Sequence, residues 1–172
     1  MRYYKTSENL PPHSEYAIIT KQKIESGDLS IIDDIEEKLK NSYVVDEEGF
    51  FTWIYYLVKY ATHSNRNEMV ERLIKNACPF SMKDFSETVD AEQYTVLMHA
   101  VQRYNERCDD TECEKQDFDL ITLILKSGVD SNFKTPIGNS AFKIAQKNHN
   151  SGRKNDVMSL LGKYAASYPK NS

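Results

Sequence analysis

Apolar residues recur along the chain at helical spacing, separated by short polar stretches. The sharpest run is Leu120, Ile121, Leu123, Ile124 and Leu125, closing on Lys126-Ser127-Gly128. A basic last turn followed by glycine marks a helix C-terminus, since glycine adopts the left-handed conformation that ends a helix without strain. A polar, turn-rich connector covers residues 129–139, and a new amphipathic segment opens at Ser140-Ala141-Phe142-Lys143-Ile144-Ala145. Ser140 stands where a capping hydroxyl belongs. Further helical patterns cover residues 14–26, 29–40, 52–60, 68–75, 95–101 and 155–164. The pattern predicts about eight principal helices in antiparallel pairs and no sheet.

Helix, glycine, β-type turn and a helix opened by a hydroxyl residue make up the unit of the ankyrin repeat. Ile124-Leu125-Lys126-Ser127-Gly128-Val129-Asp130-Ser131-Asn132 resembles the family's L-L-x-x-G-A-D-V-N, and residues 138–145 resemble its G-x-T-P-L-H-x-A. Tyr94-Thr95-Val96-Leu97-Met98-His99-Ala100 resembles the same first-helix motif, with Val96 and Met98 in place of its Pro and His. Residues 77–84 resemble the turn that follows a second helix, with Ala77 replacing its glycine. Gly27 stands in what resembles the turn between the two helices of a first unit. The resemblance implies an all-α ankyrin-repeat solenoid of stacked antiparallel helix pairs with β-turn finger loops. It divides the chain into an N-terminal extension at 1–12, a repeat domain at 13–167 and a tail at 168–172. The four repeats fall at about 13–46, 47–90, 91–134 and 135–167.

Spacing departs from the family. Thr52 to Thr95 is 43 positions and Thr95 to Ser140 is 45, against about 33 per ankyrin repeat. The surplus lies in polar stretches, chiefly residues 85–90 and 105–116, with smaller ones at 62–66 and 149–153. Insertions in a solenoid go to loops, where lengthening costs little entropy. Residues 105–116 are accordingly expected to form a mobile loop that folding does not need. The first unit, with its charged second helix, and the short last helix at 155–164 are expected to cap the stack.

Composition narrows the function classes. The net charge of −4 leaves no basic footprint of the kind nucleic-acid binding requires. No apolar run reaches the roughly 18 residues of a membrane span, and the first residues lack the apolar core of a secretory signal. Three cysteines, Cys78, Cys108 and Cys113, form no disulfide framework, so a reducing, cytoplasmic setting is expected.

Candidate chemistry is sparse. Cys108 and Cys113, with Asp109, Asp110, Glu112 and Glu114 around them, offer a metal-binding or small enzymatic alternative, but a structural zinc site needs four ligands and no second cysteine pair stands nearby. The sequence carries no nucleophile elbow, phosphate-cradling glycine loop, zinc-protease motif or dinucleotide fingerprint. The expectation is a protein without catalytic residues, metal or cofactor. His99, inside a helix, reads as a core histidine.

Aromatic residues are more informative. Trp53, Ile54, Tyr56 and Leu57 read as core. The resemblance places Phe50, Tyr60, Tyr94 and Arg103 on the concave face that ankyrin repeats expose, where Tyr and Arg are strong anchors. Asp46, Glu47, Glu48 and Glu92 would form an acidic rim that steers a basic partner. The expected function is that of a monomeric, non-enzymatic module that binds a partner protein, with a role as scaffold, inhibitor or effector acting in a host cytoplasm.

Overall fold

The computed structural model describes residues 15–33, 47–75, 93–106 and 111–167, with the side chains of 15–18, 20, 21 and 47–53 set aside. All of the regular structure in these residues is helical. Seven helices are delimited: α1 (Glu15–Ser26), α2 (Glu47–Tyr60), α3 (Arg66–Lys75), α4 (Val96–Glu106), α5 (Thr111–Lys126), α6 (Ala141–Ala145) and α7 (Ser151–Ser167). Residues 30–33 are also helical. The chain divides into two compact units, Tyr4–Phe80 and Ser81–Ser172. The division falls within residues 77–84, the turn expected after the second helix of the second repeat.

Local chemistry explains the helix ends. Gly27, Gly128 and Gly138 have φ of 74°, 95° and 80°, the left-handed values that side chains resist. Gly27 ends α1 and Gly128 ends α5. Thr95 Oγ1 accepts from Met98 N at 3.2 Å, and Ser140 Oγ accepts from Lys143 N at 3.1 Å, so both expected hydroxyls cap their helices. Asp28 does the same for the helical turn at 30–33 by accepting from Ser30 N at 3.0 Å. The Ser30 side chain first, and then this backbone bond, hold the Asp28 carboxyl below its ordinary pKa. In α3, Glu68–Arg72 and Glu71–Lys75 are ion pairs one turn apart, both 2.8 Å.

In the N-terminal unit α2 packs on α3. Ile24, Ile31, Ile32, Ile54, Leu57, Met69, Val70 and Leu73 form its core. Ile54, Tyr56 and Leu57 are buried, as their pattern predicts. Two helix–helix turns meet here: Asn65 Nδ2 donates to Gly27 O at 2.8 Å, and the Tyr56 hydroxyl donates to Glu25. A Cβ added to Gly27 would lie 3.0 Å from His63 Cγ and Nδ1. Gly27→Ala is therefore expected to lower stability by about 1–2 kcal/mol through its backbone conformation alone, with the His63 clash added. Urea denaturation measures this, and an unchanged midpoint would contradict the observed turn.

In the C-terminal unit α4 touches α5, α6 and α7, while α6 and α5 each touch α7. Helix α4 thus lies beside α6, and α5 beside α7. Contact with three neighbours explains why α4 is buried over Val96–Val101 and again at Arg103 and Tyr104. Helix α5 buries Asp117, Leu120, Ile121, Ile124 and Leu125, one stripe at three- and four-residue spacing. Leu97 is 1% exposed, whereas Leu123 is only half-buried and carries less of the core than its pattern suggests.

An asparagine again ties turn to turn. Asn105 Nδ2 donates to Ile144 O at 2.7 Å, and Asn148 Nδ2 donates to Asn105 Oδ1 at 2.9 Å. These bonds bear on residues 105–116. Helix α4 continues through Glu106 and α5 begins at Thr111, so residues 111–116 are helical and not part of a mobile loop. The polar composition is that of a helix segment that precedes the buried stripe, which begins only at Asp117. Helix α7 is also longer than expected, starting at Ser151 and not near 155.

Candidate partner-binding surface

The finger between α5 and α6 is fixed at its base and open at its tip. Asn132 N donates to Asp130 Oδ1 at 2.8 Å. Thr135 N donates to Asn139 O at 2.9 Å, and Gly138 N to Thr135 O at 2.8 Å. Thr135 Oγ1 accepts from Asn139 N at 3.0 Å, closing a tight turn through Pro136 and Ile137. Below it, Ser131 Oγ donates to Leu161 O at 3.3 Å and anchors the finger to α7. Ser131 and Thr135 are buried. Ile137 at the tip is 62% exposed, the most exposed large apolar side chain among the described residues. An apolar residue held outward by a hydrogen-bonded turn loses little entropy on binding.

Beside the finger lies an open cleft of about 560 Å³, lined by Asn132, Lys134, Ser140, Phe142, Lys143 and Gln146 with the Gly138 backbone. Its volume falls within the ~300–1,000 Å³ of ligand-binding clefts. Phe142 is half-buried, while Lys134 and Lys143 are exposed. Neither Ile137 nor Phe142 stood out in sequence as a binding residue, because the stretch reads as polar connector followed by core helix. The signal present was Pro136-Ile137-Gly138, an aliphatic residue inside a turn, where burial is not available.

A second, wider groove of about 640 Å³ lies over α5 and α7, floored by Tyr104, Phe118 and Leu160. At its side Arg153 Nη2 meets Glu114 Oε2 at 2.8 Å, and the Tyr104 hydroxyl donates to Glu114 Oε1 at 3.2 Å. The Arg153 guanidinium holds the Glu114 carboxyl below its ordinary pKa. Burial, then the Glu114 charge, push the Tyr104 phenol up to about 12. These contacts join α4, α5 and α7.

The residues read from sequence as anchors fare unequally. Tyr60 is 43% exposed, with its ring 5.3 Å from that of Tyr56 and the Lys59 ammonium 5.5 Å away. Tyr94 is half-buried, its ring tilted against that of His99 at 5.3 Å. His99 is buried, as a core histidine should be. Arg103 is not a surface anchor: it is 9% exposed, and its Nε lies 3.1 Å from Oδ1 of the buried Asp117. It points back to α5 because Asp117 sits on the buried stripe and needs a cation there. Phe50 lies within α2 and does not precede it. Its side chain and those of Glu47 and Glu48 lie outside the described residues, as do Asp46 and Glu92 entirely.

Cys113 is half-buried in the first turns of α5, and Cys108 lies outside the described residues. Glu114, one of the carboxylates beside them, is committed to Arg153 and Tyr104. Among the described residues no group of three His, Cys, Asp or Glu side chains converges as metal ligands do, and no helix is long and apolar enough to cross a membrane. No protein-family model matches the chain, and no curated protein is significantly similar to it.

Proposed function

We propose that the chain is a divergent ankyrin-type module that carries out no chemistry and binds one partner protein through finger loops and first-helix faces. The observation that carries this reading is the finger of residues 129–139, a hydrogen-bonded turn that presents Ile137 to solvent beside the Phe142 cleft. The left-handed Gly128, the Ser140 cap and the side-by-side first and second helices of the C-terminal unit support it. Tyr60 and Tyr94 remain anchors in this reading, and Arg103 leaves the set. The Cys108–Cys113 alternative loses appeal with Glu114 engaged elsewhere. A monomer working in a cytoplasm, its own or a host's, as scaffold, inhibitor or effector fits such a module.

Quantitative affinity capture from cell extract tests the reading. Tyr60→Ala and Ile137→Ala should each deplete captured proteins while leaving the thermal transition in place. Central interface anchors commonly contribute about 2 kcal/mol or more, roughly a thirtyfold loss in affinity. Capture that neither change alters would count against a partner-binding surface on these elements.

A further inference from the structure

The charge around the finger is opposite to that of the chain as a whole. Between residues 126 and 147 stand Lys126, Lys134, Lys143 and Lys147 against a single carboxylate, Asp130, while the chain carries a net charge of −4. Asp130 is already engaged, accepting from Asn132 N. Lys134 and Lys143 both line the cleft, and no carboxylate is among its lining residues. Lys147 is exposed one turn beyond Lys143. The rest of the lining is Phe142, the amides of Asn132 and Gln146, Ser140 and the Gly138 backbone, whose carbonyl accepts from Lys143 Nζ at 3.4 Å.

We propose that this cleft recognises an acidic segment of a partner protein, seating one apolar side chain on Phe142 and placing flanking carboxylates on Lys134 and Lys143. The inference rests on the binding-module reading and gives its partner a chemistry opposite to the basic one that the acidic residues near position 47 suggest. Asn132 and Gln146 offer donors and acceptors to the segment's backbone, and Ile137 extends the apolar contact beyond the cleft. Two lysines and an aromatic floor favour a peptide over nucleic acid, whose binding draws on a broad basic surface. Complementary charge of this kind raises the association rate and selects the partner.

A random dodecapeptide library displayed on phage, panned against the intact protein, supplies the probe. Enriched peptides should be acidic with one central aliphatic or aromatic residue. A synthetic copy of the most enriched peptide should lose about tenfold or more in affinity on Lys134→Glu with Lys143→Glu. Lys163→Glu, a charge change of the same sign on α7 outside the cleft, should leave binding close to that of the parent. Affinity should also fall as salt is raised. Basic or uncharged consensus peptides, or equal losses with Lys163→Glu, would overturn the proposal, as would displacement of the peptide by an equimolar oligothymidine. Peptides that bind undisturbed by the cleft changes but are lost with Tyr60→Ala would remove this site and keep the binding module. A library yielding no peptide at all would count against both.

Discussion

Asp117→Ala is expected to destabilise the protein by about 3–5 kcal/mol, because it removes the carboxylate that the buried Arg103 Nε contacts. Asp117 is 1% exposed and Arg103 9%, and their contact joins α4 to α5. Most of the loss should come from keeping the Arg103 charge buried without this carboxylate and only part from the lost attraction. The double change Arg103→Met with Asp117→Leu should accordingly recover much of the stability, since apolar replacements leave no charge behind. Arg103→Ala should destabilise for the same reason, whereas an exposed anchor would have left the fold untouched. Chemical denaturation of the three variants measures the effect. A loss below about 1 kcal/mol for Asp117→Ala would mean that water reaches the pair and that the two helices do not close over it.

What was legible in the sequence follows from the range of the forces involved. Gly128 and Ser140 could be read because helix ends are set by local backbone and capping preferences, and both behave as their neighbours in sequence predict. The stripe from Leu120 to Leu125 could be read because periodicity alone decides which face is buried. Arg103 was misread because exposure of a charged residue depends on what lies opposite it. Its partner Asp117 is fourteen positions away, across a helix–helix turn. Residues 111–116 read as loop in the sequence because apolar periodicity is blind to a helix segment with little to bury. Their helicity rests on acidic residues at the start of α5, Glu112 and Glu114, which suit the positive end of a helix. Ile137 was overlooked for the converse reason: a lone aliphatic residue in a turn makes no pattern, and only its exposure gives it meaning.

Replacing residues 105–116 with a short glycine-containing turn should destabilise the protein by at least about 3 kcal/mol, well beyond the ~0.5 kcal/mol typical of a surface change. The replacement removes Asn105, which joins the ends of α4 and α6 through Ile144 O and Asn148. It also removes Glu114 and with it the contacts to Arg153 and Tyr104, together with the first turns of α5. Hydrogen bonds of this kind contribute about 1 kcal/mol each and more when a buried partner is left unmatched. Asn105→Ala should account for about 1–2 kcal/mol of the total. Glu114→Gln separates the ionic share by its pH dependence. The folded-state pKa of Glu114 is lowered, mainly by its hydrogen bond from Arg153, so its contribution is complete above the ordinary carboxylate range and is lost as pH falls through the lowered value. Parent and Glu114→Gln should therefore differ at neutral pH and converge in acid. A replacement variant that melts within a few degrees of the parent would return residues 105–116 to the status of a dispensable loop.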